Sequence, residues 1–218
     1  MGGVMIKRIL FFLFMVIFCG TVITSHAEIK EPIRFDFENG MEGWDIPDWA
    51  AEQKDCVGRE VKVSDKVAST GHNSFEILGD FPGNLWTSVV VEYEQDMNLK
   101  GYKKISVDVF VPQGAGGAAN SELFLARIIL TVGSWWFVEM RKPITITRGK
   151  WNTITAQLEG LGDEELVFWK VREKEQSVSA NIQDVKKIGV RVEYNSNPWQ
   201  EGKAYNGPVY IDNVVISE

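Results

Sequence analysis

The chain has 218 residues, with 30 acidic against 23 basic side chains and a formal net charge of −7. A chain this acidic offers no basic surface for the phosphates of a nucleic acid. Its length suits one domain once an N-terminal segment is set aside.

That segment reads as an export signal over residues 1–27. Lys7 and Arg8 precede the apolar run Ile9 to Phe18, and Ser25, His26, Ala27 form a small-x-small cleavage pattern. The run is roughly half of the ~20 residues that span a bilayer, which favours a cleaved signal over an anchor even though Val22 and Ile23 extend it weakly. Cys19 follows Val16, Ile17, Phe18, without the small residues of a lipidation site. Loss of Lys7 and Arg8 with the signal takes the net charge from −7 to −9. Residues 28–218 are then expected to be one secreted or periplasmic domain, a monomer with no membrane attachment. Cys56 is the one cysteine left after cleavage and reads as a small buried hydrophobe rather than a nucleophile.

Beyond the signal, the pattern is that of strands. In the segment from Trp86, Thr87, Val89, Val91 and Tyr93 are the more apolar face, which turns Trp86, Ser88, Val90 and Glu92 outward. Ile105, Val107, Val109 and Val111 make a second inward stripe. Phe124, Ala126, Ile128, Leu130 and Val132 make a third, leaving Arg127 outside between Leu125 and Ile129. From Gly133 to Arg141, Trp136, Val138 and Met140 point inward against Trp135, Phe137, Glu139 and Arg141 outward. A slip of one residue or a bulge at Gly133 would exchange the two indoles. Ile154, Ala156 and Leu158 continue the series, with Trp151 at the rim of the core. Residues 163–174 are expected to form a short helix or irregular excursion, and residues 180–185 one turn. Ile188, Val190, Val192 and Tyr194 then face inward opposite Arg191 and Glu193, and Val209 to Ile216 closes the chain. Gly, Pro and Asn punctuate these segments, as at Phe81 to Asn84. Many short strands with one buried face each predict an all-β antiparallel β-sandwich rather than a barrel.

Three stretches resemble a known group. Phe35 to Gly40 followed by Gly43, Trp44, then Ser69 to Ile77, then Tyr210 to Val214, are similar in order and placement to signatures of the galactose-binding-like, jelly-roll β-sandwiches that serve as carbohydrate-binding modules. Within that group the chain looks most like the mannan-binding modules of bacterial glycoside hydrolases. That likeness rests on Leu85, Trp86, on the Gly133 to Trp136 run, and on Trp49 soon after the opening Gly-Trp; the doubled Trp135, Trp136 departs from it. The resemblance implies a secreted, non-catalytic binder of β-mannan or a related β-glycan. It also implies a structural calcium where the terminal strands meet, with Asp36, Glu38 and Asp212 as carboxylates and the carbonyls of Ser69 and His72 completing the shell.

The chain's eight tryptophans exceed what a core of this size requires. Flat indoles match the C–H faces of pyranose rings, and sugar hydroxyls need charged or planar hydrogen-bonding partners. Trp44 reads as core, Trp169 as an anchor for the 163–174 excursion, and Trp199 as a loop residue of either kind. The outward set, Trp86, Arg127, Trp135, Glu139, Arg191 and Glu193, would form one groove if their strands are neighbours, with Trp49 at an end and Trp136 as the alternative to Trp135. No nucleophile elbow, phosphate loop or zinc-spaced histidine pair is present. A hydrolase or lyase would need a carboxylate pair such as Glu139 with Glu193 or Glu92. An envelope protein-interaction module is the remaining alternative.

Overall fold

Alternation along each strand leaves one apolar face, and two such faces closed on each other bury it. A computed structural model describes residues 30–113, 124–158, 166–168, 182–194 and 204–218. In chain order the first strands are β1 (Ile33–Phe35) and β2 (Trp44–Asp45), followed by the short helix α1 (Asp48–Ala51). Next come β3 (Gly58–Ser64), β4 (Ser74–Phe81), β5 (Thr87–Met97), β6 (Lys104–Phe110), β7 (Phe124–Val132) and β8 (Trp136–Met140). The last are β9 (Ile144–Thr145), β10 (Trp151–Gln157), β11 (Leu166–Phe168), β12 (Val185–Tyr194) and β13 (Tyr205–Ser217).

One sheet has the order β10-β6-β13-β4-β3, with β1 pairing the end of β13. The other runs β11-β8-β7-β12-β5-β2, with β9 on β7. Every strand pair is antiparallel. The expected inward stripes all meet between the sheets: Val107 and Val109 from β6, Ile128 and Leu130 from β7, Ile154 from β10, and Ile188 and Val190 from β12 are buried in one cluster. Trp44 is buried there too, edge-on to Phe35 at 5.6 Å between ring centroids. Truncating one of these aliphatic chains to Ala would cost about 2–5 kcal/mol through lost transfer energy and a cavity.

Three local expectations change. Leu166–Phe168 is a strand on β8, not a helix or an irregular excursion. Val185 opens β12 rather than ending a helical turn. Trp151 pairs with Phe110 on the outer face of its sheet, ring centroids 5.4 Å apart, rather than at the rim of the core. The signal over residues 1–27, Trp169 and Trp199 lie outside the described residues. Among the described residues no helix is long and apolar enough to cross a membrane.

Candidate functional site

The outer face of the second sheet carries the candidate site. Register places Arg191 of β12 between Val90 of β5 and Arg127 of β7, and Glu139 of β8 opposite Ile129 of β7. Glu193 lies between Ser88 and Leu125. The four strands that were expected to present one surface are therefore neighbours, in the order β8-β7-β12-β5.

A second layer covers part of that face. After β2 the chain forms α1, and Ala50 and Cys56 pack on Val90 and Ile129 in a small buried cluster outside the main core. Backbone bonds from Val57 to Ser88 and from Ser88 to Asp55 fix this segment along β5. Burial pushes the Cys56 thiol pKa up, with Ser88 as a weak neighbour at 4.0 Å, so Cys56 is the buried small hydrophobe expected.

Between this layer and the β7–β8 hairpin lies a cleft of about 750 Å³. Its floor includes Val90, Thr131, Phe137, Lys187 and Arg191, with Trp86 beside Ser88. Trp49, Gln53 and Asp55 form one wall, and Ser134, Trp135 and Trp136 the other. Trp135 is 61% exposed and Trp49 is 38% exposed, while Trp86 is half-buried.

The Gly133–Arg141 run differs from its expected form in an informative way. The strand begins at Trp136, which pairs with Val132, so Gly133, Ser134 and Trp135 are a three-residue hairpin loop. Gly133 and Trp135 both take left-handed backbone angles, φ 54° and 67°. For a bulky side chain that conformation costs on the order of 1–2 kcal/mol. Trp135 is thus raised on the hairpin tip instead of standing in the strand, and Phe137 is the first aromatic that β8 sends to the outer face. Trp136 packs against the core and also touches the cleft.

The expected hydroxyl-binding charges are mostly turned to each other. Arg127 Nη1 is 3.1 Å from Glu139 Oε1, and Arg127 Nε is 2.7 Å from Glu193 Oε1. Arg191 donates to Glu139 Oε2, and its Nε lies 3.0 Å from Glu193 Oε1. All four side chains are nearly buried, so the two pairs form a closed network in which each charge has two opposite neighbours. Of the four, Arg191 alone lines the cleft. Its guanidinium sits 6.0 Å from the ring centres of both Trp86 and Phe137. Trp86 Nε1 lies 3.4 Å from Glu193 Oε2, which fixes that indole over the network.

Lys187 and Glu92 were not singled out together by the sequence, although Lys187 shares the parity of Arg191 and Glu193. Lys187 Nζ is 3.3 Å from Glu92 Oε2, 2.8 Å from Glu94 Oε2 and 5.8 Å from the ring centre of Trp135. Burial works against its charge, yet the contacts with Glu94 and Glu92 outweigh it and hold the ammonium above the ordinary lysine pKa. Burial pushes the Glu92 carboxyl up, against the opposing pull of Lys187 and Trp49. Gln53, Asp55 and Ser134 also escaped the sequence reading, because the loops that bring them here carry no periodicity, whereas Thr131 shares the outward parity of Arg127 on β7 and was passed over.

The acids expected around calcium are engaged by backbone amides. Glu38 Oε1 accepts from the N–H groups of His72 and Asn73, both at 2.7 Å. Those amides, that of Asn73 foremost, hold the Glu38 carboxyl below its usual range. Gly71, at φ +64°, makes this approach feasible, since a Cβ there would overlap the Glu38 carboxylate. Asp212 accepts from the N–H groups of Ser69 at 2.7 Å, Thr70 at 3.0 Å and Asn213 at 2.6 Å. Asp36 accepts from Glu38 N at 3.2 Å. Among the described residues no three acidic, histidine or cysteine side chains converge. As arranged, Glu38 and Asp212 form a hydrogen-bonded clasp that ties the segments near both chain ends to residues 69–73.

The sequence matches no protein-family model and no curated protein. Solved structures do match. One carbohydrate-binding module, studied for promiscuous specificity in the β-sandwich superfamily, superposes with a TM-score of 0.50 at 14% identity, over 84% of this chain and 61% of its own. This chain therefore spans about three fifths of that protein's length. A module known for specific mannan recognition gives 0.47 at 15% identity, over 86% and 98% of the two chains. A family 11 module from Clostridium thermocellum, solved with a β-1,3-1,4-mixed-linked tetrasaccharide, gives 0.46 at 16% identity, over 85% and 95%. With its two antiparallel sheets, the chain has the β-sandwich fold found in carbohydrate-binding modules.

Proposed function

We propose that this protein is a secreted, non-catalytic carbohydrate-binding module. It stacks a β-linked polysaccharide, β-mannan or a related β-glycan, on Trp86 and Trp135, with Trp49 as a third platform. The observation that carries this reading is Trp135, a largely exposed indole held in a left-handed turn at the edge of a cleft that three more indoles line. Backbone strain at a bulky residue points to a role that outweighs it. Arg191, framed by Trp86 and Phe137, supplies a donor for sugar hydroxyls, and Gln53, Thr131 and Ser134 supply others. The Arg127, Glu139 and Glu193 charges support the floor rather than meet the sugar. The like fold in solved carbohydrate-binding modules supports the same reading. Affinity electrophoresis through mannan, glucan and xylan gels tests it: retardation in a β-glycan gel, lost in Trp135→Ala, is expected. Free migration in all three would refute it.

A hydrolase or lyase acting in the same cleft has one observation in its favour, the Glu92 carboxyl whose pKa burial raises. Against it, Glu139 and Glu193 are neutralised by two arginines. Release of reducing ends or unsaturated sugars, abolished in Glu92→Gln, would support this second reading.

A further inference from the structure

The two exposed platforms of the cleft stand on short elements. Trp49 belongs to α1, a four-residue helix that starts at Pro47 with no side-chain cap. Trp135 stands on a three-residue hairpin tip. A stacking site needs its rings at a fixed spacing before ligand arrives, because any ordering left to the binding step subtracts from affinity.

One buried side chain holds the first of these platforms directly. Glu92 projects from β5 and is almost fully buried. Both of its oxygens lie 3.3 Å from Trp49 Nε1, so the indole N–H points at the middle of the carboxylate. Its Oε2 is 3.3 Å from Lys187 Nζ, and that ammonium lies 5.8 Å from the Trp135 ring centre. The neighbouring strand leaves room for this: Gly189 faces Glu92 in register, and a Cβ there would come within 3.0 Å of Glu92 Cγ and 2.7 Å of Ile129 Cγ1. Glu94 shares Lys187 from the edge, at 2.8 Å, so the ammonium is held from two sides.

We propose that Glu92 is a positioning residue that fixes the Trp49 wall of the cleft, holding that indole directly from beneath. The inference rests on the glycan-stacking reading of the cleft. Glu92 itself lies beneath the indole and meets no sugar. Its effect on affinity passes through Trp49, and so Trp49 must be present for Glu92 to matter.

The test compares the protein with its Trp49→Ala, Glu92→Leu and Glu92→Gln variants and the Trp49→Ala/Glu92→Leu double variant, each titrated with soluble β-mannan and mixed-linkage β-glucan. Glu92→Leu should weaken binding by about tenfold, close to the loss in Trp49→Ala. The double variant should bind no more weakly than Trp49→Ala alone, because the two residues act as one unit. Glu92→Gln keeps an acceptor for the indole and should restore binding to near the parent level. Additive losses in the double variant, or Glu92→Leu binding like the parent, would overturn the proposal. A second readout needs no glycan: acrylamide quenching of Trp49, taken as the difference between each protein and its Trp49→Phe counterpart. Stronger quenching in Glu92→Leu supports the anchor, and equal quenching overturns it. Should Glu92→Leu not fold, Glu92→Asp replaces it, its carboxylate one methylene short of the indole, with the same expectations. If neither glycan binds the parent protein, the glycan reading fails while the quenching result still decides the anchor.

Discussion

Adjacent tryptophans with opposite duties give the sharpest mutational contrast. Trp135 is 61% exposed, which leaves on the order of 150 Å² of indole open at the cleft edge. A pyranose covering about 80 Å² of that ring would contribute about 2 kcal/mol, or roughly 30-fold in Kd. Trp135→Ala should therefore weaken glycan binding by about that factor. Its unfolding free energy should change by less than ~1 kcal/mol, since the turn keeps its left-handed geometry and little packing is lost. Trp136 packs against the main core from the first position of β8. Trp136→Ala should cost about 3 kcal/mol of stability by opening a cavity. Affinity electrophoresis reads the first quantity and urea unfolding the second. The reverse pattern, a stable Trp136→Ala that binds poorly beside a destabilised Trp135→Ala that binds well, would refute the assignment of the two faces.

Glu139→Gln leaves two nearly buried guanidinium groups short of charge, and should lower stability by about 1–3 kcal/mol in urea unfolding; an unchanged midpoint would show that the network is idle. Glu92 gives a pH signature. Its folded pKa is raised, so its contribution is full below the ordinary carboxylate pKa and is lost as pH rises through the raised value. Glu92→Gln lacks that loss, so its stability relative to the parent should rise between pH 4 and pH 7; a pH-independent difference would refute the burial argument. At the chain ends, EDTA should leave the thermal midpoint unchanged, whereas Asp212→Ala strands three backbone N–H groups and should cost about 2 kcal/mol or more. A midpoint that falls with EDTA and recovers with calcium would overturn the clasp.

The core was legible because it obeys a period of two. Ile105 to Val111 and Ile188 to Tyr194 alternate without interruption, and every inward residue of those stripes is buried. The same parity brought Arg127, Glu139, Arg191 and Glu193 to one face. What parity could not supply is the direction of a long side chain once it leaves the sheet: these four turn sideways and pair, and only Arg191 reaches the cleft. The position of Trp135 escaped for a different reason. Its residue type argues for a strand, and the two left-handed angles that take it out of β8 follow from tertiary context, with Gly133 N bonded to Asp184 O at 2.7 Å. The wall made by α1 and Asp55 was illegible altogether, since a four-residue helix and an irregular crossing between sheets leave no periodic trace. Asp36, Glu38 and Asp212 were brought together by resemblance alone, and residue type gives no sign that Glu38 and Asp212 accept the backbone amides of residues 69–73.

A saccharide platform made by three indoles and Arg191 should show itself in titration calorimetry of the protein with soluble β-mannan and mixed-linkage β-glucan. Saturable binding with a negative heat-capacity change is expected from at least one of them, abolished in the Trp86→Ala/Trp135→Ala variant. Absence of binding heat from both at several temperatures, or undiminished binding by that double variant, would contradict it.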